Sequence, residues 1–289
     1  MPATLSPTGC RERALKAIAK LPPFSPVLNQ LISSLTNDSV SIGELATLIE
    51  KDTVIAGNLL RLCNSAIYAR RGTVNSIRHG ISILGLAKLR NAAMSWSLAR
   101  MWNTQKYPEG WSTNQFNLHG VACGIMADLL AVDIPCEYGE GAFAAGLLAN
   151  VGMLLVALSA PEDFEQVHRH YLQDERAFER VERELLGVDH ADLSTETLKQ
   201  WNLPAPIVRA VAEHHILFDF RPGQTVPLGY VIQQADRLVG QQAIGFQDWH
   251  RPEPGTPEET LATLGLESRS SAILERFRGE FEALRGFFQ

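Results

Sequence analysis

Residues 141–161, GAFAAGLLANVGMLLVALSAP, contain no charged side chain. About 20 apolar residues suffice to cross the hydrocarbon of a bilayer, so this stretch is either a membrane span or the innermost helix of a helical core. Its flanks decide between the two. Glu137, Glu140, Glu162 and Asp163 bracket it, with no Lys or Arg nearby to set an orientation. The stretch is rich in Ala and Gly, and a helix apolar on every side is what the middle of a soluble helical domain requires. The segment is therefore expected to lie buried in the protein, and no membrane association is expected.

The rest of the chain reads as helices too, with almost no β-type alternation. Ser41 with Glu44 three residues on forms a capping-box pattern before Leu45, Leu48 and Ile49. Asp52 can cap the following segment and Ser76 the next, which Gly85 ends. LAKLRNAAMSWSLARMW and FNLHGVACGIMADLLAVD follow, the latter with His119, Cys123 and Met126 along one side. EDFEQVHRHYLQDERAFERVERELLG reads as one helix closed by Gly187, Asp189 with Asp192 as another helix start, and LESRSSAILERFRGEFEALRGFF as the last helix. The fold class is all-α. The polar segment NTQKYPEGWSTNQ, with Pro108 and Gly110, is the natural internal boundary, giving an N-terminal helical lobe over 10–105 and a second lobe over 106–289 that includes the C-terminal helix.

The net charge is −6, so the molecule as a whole has no bulk attraction for nucleic acid or anionic membrane. The charge is uneven. Between Asp52 and Glu109 there is no carboxylate, while Arg61, Arg70, Arg71, Arg78, Lys88, Arg90, Arg100 and Lys106 fall in that window. Arg61, Arg70, Arg71 and Arg78 are the candidates for an anionic, nucleotide-type ligand; the alternative is that these cations pair with the acidic remainder. No helix-turn-helix or zinc-finger pattern is present, and direct nucleic-acid binding is not expected. Cys10, Cys63, Cys123 and Cys136 form no C-x-x-C pair or regular framework, and the first residues do not read as a secretory signal. A reducing, cytoplasmic setting is expected.

Several segments together resemble a known family. LPPFSPVLNQLISSL, LIEKDTVIAGNLLRLCNSAIY, NSIRHGISILGLAKLRN, HADLSTETLKQWNLPAPIVRAVAEHH and QADRLVG are similar to the HDOD family, the HD-related output domain of bacterial signalling proteins. LCNSAIY followed by SIRHGISILGLAKLRN carries most of the specificity. The resemblance implies a multi-helical HD-like lobe packed against an N-terminal helical lobe. HD-superfamily phosphohydrolases bind metal through an early His or Glu, a His-Asp doublet, further histidines and a late Asp. By that resemblance the corresponding positions here are His119, His190, His214, His215 and Asp236, whereas the doublet falls on Ala149 and Asn150.

That exchange removes donors. A divalent hydrolytic metal needs imidazole nitrogens and carboxylate oxygens; alanine offers nothing and asparagine a neutral carbonyl oxygen. No catalytic residue, cofactor or metal is therefore expected. The relict cavity, with His119, Asn150, His190, His214, His215 and Asp236, is expected to serve as a ligand or partner site, held by a His–Asp hydrogen-bond network. Each residue also has a plainer reading, as a paired core histidine, a first-turn histidine or a buried carboxylate with a partner. Adjacent His214 and His215 point about 100° apart on a helix, which lets only one face inward squarely. The function implied is a non-catalytic signal-transduction output or adaptor domain that engages a signalling partner protein or small ligand. The alternative is a phosphohydrolase acting on a nucleotide or cyclic dinucleotide, with metal on His119, His190, His214, His215 and Asp236.

Overall fold

Helix caps set the frame of the chain. The computed structural model describes residues 7–19, 21, 24–35, 41–68, 73–173, 176–218, 224–245 and 254–288. Among the described residues sixteen α-helices follow in order: α1 (Pro7–Ile18), α2 (Pro26–Ser33), α3 (Ile42–Lys51), α4 (Thr53–Cys63), α5 (Ile77–Leu84), α6 (Leu86–Trp102), α7 (Thr113–Asp133) and α8 (Ala142–Leu148). Then come α9 (Val151–Ser159), α10 (Pro161–Gln173), α11 (Phe178–Leu186), α12 (His190–Gln200), α13 (Ala205–Glu213), α14 (Leu228–Gln241), α15 (Pro257–Ala262) and α16 (Ser270–Arg285). Among the described residues there is no strand, only an isolated bridge between Cys136 and Val226. The all-α expectation holds.

The starts and stops have chemical causes. Ser41, Asp52, Ser76, Ser112 and Asp189 each accept backbone N–H groups of the helix they precede, satisfying donors that a helix N-terminus leaves free. Gly187 closes α11 in the left-handed conformation, at φ 70°. Helix α14 ends in a Schellman turn, with Ala243 N–H on the Gly240 carbonyl and Ile244 N–H on the Val239 carbonyl. Ala243 takes the left-handed position, φ 53°, that glycine usually fills.

Contacts divide the chain into two units. The larger comprises Met1–Leu21 and Gln105–Glu267; the smaller comprises Pro22–Thr104 and Ser268–Gln289. The internal division falls between Thr104 and Gln105, and each unit also takes a segment from one end of the chain. Helix α1 packs on α9, α11 and α12 of the larger unit; there the Arg13 guanidinium pairs with Asp163 of α10. Helix α16 belongs to the smaller unit. Its Glu280 pairs with Lys88 of α6, and its buried Ile273, Leu274, Phe277, Phe281 and Leu284 are the apolar side anticipated from its periodicity. An amphipathic stripe tells that a helix is covered, not by which neighbour.

Within the smaller unit the basic window is drawn to separate partners. Arg100 holds Asp52 at 2.8 Å, Lys88 holds Glu280, and the Arg61 guanidinium lies 4.3 Å from the Phe287 ring centroid, a cation–π distance. Arg70 and Arg71 lie outside the described residues.

The uncharged stretch is buried, and it is not one continuous rod. Both long apolar stretches, Thr113–Asp133 and Gly139–Ser159, are mostly covered, with 72% and 89% of their apolar windows buried. Between α8 and α9 the helix breaks at Ala149–Asn150, without proline. The Ser194 hydroxyl donates to the Ala149 carbonyl at 2.7 Å and accepts the Gly152 N–H at 2.8 Å. A side chain from α12 thus inserts into the hydrogen-bond ladder, a recognised cause of a helix kink. Two glycines allow the close packing this needs. A Cβ at Gly146 would lie 2.7 Å from the Cys123 carbonyl oxygen of α7, and one at Gly152 only 2.1 Å from the His190 carbonyl oxygen of α12. The break therefore sits where α7, α8, α9 and α12 crowd together.

Candidate functional site

Two groups of side chains converge in the larger unit. In the first, His119 and Cys123 stand one turn apart on α7, Asp236 projects from α14, and Asn150 comes from the α8–α9 break. His119 Nε2 lies 2.9 Å from Asp236 Oδ1, 3.5 Å from Cys123 Sγ and 3.2 Å from the Asn150 amide nitrogen. Cys123 Sγ lies 3.5 Å from Asp236 Oδ1. On its far side, His119 Nδ1 is 3.3 Å from the Ile244 carbonyl, which can only accept, so Nδ1 carries a proton. Nε2 is then the ring nitrogen that faces the Asn150 amide and the Asp236 carboxylate. Burial, and then the nearby Asp236 carboxylate, push the Cys123 thiol well above its usual range, so it is a thiol unless a cation displaces its proton.

The second group is His190, His214 and His215, with Glu182 behind it. His190 opens α12; its backbone N–H and Nδ1 contact one oxygen of the buried Glu182 at 2.9 and 2.5 Å. Its Nε2 lies 2.8 Å from His215 Nε2. Burial works against a charge on His190, but the Glu182 carboxylate overcomes it and raises the imidazole to about 9. Burial likewise raises Glu182, against the pull of His190, so this pair keeps its proton through the neutral range. Burial, then the neighbouring imidazoles, depress His215 well below its ordinary value, and burial followed by His190 lowers His214 to about 4. The protons fall into place: His190 donates from Nδ1 to Glu182 and from Nε2 to His215. His214 donates from Nδ1 to the Val211 carbonyl at 2.6 Å, while its buried Nε2 has no hydrogen-bond partner.

The sequence-derived residues are all brought into this unit, in two sets rather than one. His119, Asn150 and Asp236 meet, and the expected His–Asp contact is present. His190, His214 and His215 meet separately, with Glu182 as their carboxylate. Ring nitrogens of both His214 and His215 lie within 4.8 Å of one on His190; His214 is buried and His215 half-buried. Helix α13 ends at Glu213, and His214 is its C-cap. Ala149 is buried and engages through its backbone only. Cys123 was noted beside His119 but not counted as a site residue, although its i, i+4 spacing placed it there. Glu182 carried no local signal, lying eight residues before His190 across a turn.

Among the described residues the fold is all-helical, and His119 and Asp236 meet Asn150 at the break between α8 and α9. The sequence profile of the HDOD domain matches residues 21–217, and the chain belongs to the HDOD family. Among solved structures it is similar to an HDOD domain protein of unknown function from Geobacter sulfurreducens, with a TM-score of 0.76 and 21% identity over 98% of each chain. It is also similar to a presumptive signal-transduction protein from Marinobacter aquaeolei, with a TM-score of 0.72 and 19% identity, covering 100% of this chain and 67% of that one. A presumptive phosphohydrolase from Shewanella amazonensis gives a TM-score of 0.69 at 19% identity, covering 96% and 98%. An uncharacterized protein of Treponema pallidum is 23% identical over 276 residues, 92% of this chain. The chain spans half the length of that curated relative. At these identities the structures speak for the fold.

Proposed function

We propose that this chain is a non-catalytic output module of bacterial signalling, which transmits by binding a partner protein or small ligand. The observation that carries this reading is the doublet position. Ala149 brings no donor side chain and has its carbonyl tied to Ser194, while Asn150 turns its amide to His119 Nε2. A hydrolytic metal must lower the pKa of a bound water while keeping an open coordination position. Replacing an imidazole and a carboxylate by a methyl and a neutral amide withdraws the anionic charge such a site uses. Family membership and neighbours that include a signal-transduction protein agree with a signalling role. Four free cysteines suit a reducing cytoplasm. Binding transmits only where it favours one conformation over another.

The phosphohydrolase reading retains one observation in its favour, the two groups of donor atoms each within 4.8 Å of one another. One assay separates the readings. The full chain, supplemented in turn with manganese, ferrous iron and zinc, is tested for hydrolysis of cyclic dinucleotides and of a chromogenic phosphodiester. No turnover above buffer is expected; metal-dependent turnover abolished by Asp236→Asn overturns the proposal.

A further inference from the structure

The smaller unit is built from two stretches of chain that do not follow one another. Its body, Pro22–Thr104, carries α2 to α6, and its second piece, Ser268–Gln289, is made chiefly of α16. The backbone enters α16 from the segment that ends the larger unit at Glu267. Helix α16 is therefore held on the body of its unit by noncovalent contacts alone, as a bound peptide would be. Its anchors are those of a helix laid into an apolar groove: Ile273, Phe277, Phe281 and Leu284, one turn apart in succession, are all buried. Glu275, Arg278 and Glu282, between them, are exposed. Three further contacts give the seat a pattern. Ile67, on the connection from α4 to α5, meets α16 at Gly279, where a Cβ would lie 2.8 Å from the Ile67 Cδ1. One residue on, Glu280 pairs with Lys88, whose ammonium also lies 5.7 Å from the Tyr68 ring centroid. Just past the helix end, the Phe287 ring centroid lies 4.3 Å from the Arg61 guanidinium and 5.1 Å from the Trp96 ring. The body has no carboxylate after Asp52, so the acid that answers Lys88 comes from the seated helix.

We propose that Arg61, Ile67, Tyr68, Lys88 and Trp96 mark a helix-receiving surface, that α16 fills it as an internal ligand, and that the partner which takes its place is an amphipathic helix of the same build. Such a helix carries a glycine to admit Ile67, a carboxylate beside it for Lys88, and an aromatic ring about two turns beyond for Arg61 and Trp96. Complementary charge fixes its register and direction on the surface. The tether gives α16 an effective concentration on the order of millimolar, so an outside helix engages only by binding more tightly or after α16 is loosened. The chain then has two states, α16 seated and α16 displaced, between which the partner discriminates, and that difference is what lets binding transmit. The inference names the kind of partner that the non-catalytic reading calls for, and in that respect it rests on that reading.

The test uses the full chain and, as probe, a fluorescent peptide of residues 268–289. In hydrogen exchange of the natural protein the amides of α16 are expected to open together and about tenfold faster than those of α6, a readout that does not depend on any variant folding. Phe281→Asp puts a carboxylate on the covered face and is expected to free α16 within its own chain. This variant is expected to bind one peptide, with an affinity about tenfold above that of the natural chain, whose own helix competes. Adding Lys88→Glu to it is expected to weaken the peptide about tenfold, and a peptide carrying Glu280→Lys is expected to recover the loss. Exchange of α16 no faster than that of α6 would overturn the proposal. So would absence of peptide binding by Phe281→Asp while α6 stays protected, or binding indifferent to the charges at Lys88 and Glu280. Metal-dependent turnover in the hydrolysis assay overturns the non-catalytic reading and leaves the helix-receiving surface standing; a chain that neither hydrolyses nor takes up the peptide overturns the surface alone.

Discussion

The two histidine groups use similar side chains to opposite ends. Around His190 the partner on the far side of the ring is a buried carboxylate, which charges the imidazole and turns its Nε2 into a donor. Around His119 the far partner is a neutral carbonyl, which leaves Nε2 facing a carboxylate and a thiol. What a histidine can bind is therefore set less by the groups it points at than by the group at its back.

The largest expected effect tests whether both groups depend on one support. Gly152→Ala places a Cβ 2.1 Å from the His190 carbonyl oxygen, a backbone overlap that can be relieved only by pushing α12 from α9. We expect destabilisation of about 3 kcal/mol in thermal unfolding. The chemical environments of His190 and Asn150 should change together by NMR; a change at only one would show that the groups are independently held.

Acid and base sharpen the contrast next. His190 is raised from 6.5 to about 9 in the folded protein, so its stabilisation is fully present below about pH 6.5 and is lost as pH rises through about 9. His214, lowered from 6.5 to about 4, contributes in the opposite sense. Its share is present above about pH 6.5 and is lost as pH falls towards about 4, because the unfolded chain takes up the proton first. The melting temperature is expected to drop by several degrees on either side of neutrality. Glu182→Gln should flatten the alkaline limb, and an unchanged limb would remove Glu182 from the account.

The smallest effect concerns the support behind His119. Ala243 holds φ 53° in the turn that presents the Ile244 carbonyl. Glycine there should raise stability by about 0.5–1 kcal/mol, with the His119 ring held as before. A lower melting temperature would mean that the turn is not strained.

Much of this was legible beforehand. The polar caps Ser41, Asp52, Ser76 and Asp189, the stop at Gly187 and the burial of 141–161 all follow from local chemistry. His119, Asn150 and Asp236 were candidates through a family pattern, and the structure brings the three side chains together. What the sequence hid was non-local. Nothing near 149 announces that Ser194 will enter its ladder, and nothing near 190 names Glu182 as its counter-ion. The stretch from 161 to 187 is two helices, α10 and α11, rather than the one its periodicity suggested. Which unit takes α1 and which takes α16 is not written in chain order, because a covered face does not name its neighbour.

The Ser194 insertion has one more consequence. Because a single hydroxyl both gives and takes at the break, α8 and α9 are two rods hinged on a peg borrowed from a third. His190 rides four residues ahead of that peg on the same helix, and Asn150 sits at the hinge itself. Sliding α12 along its axis would therefore carry His190 with it and, in the same displacement, loosen the joint that holds Asn150.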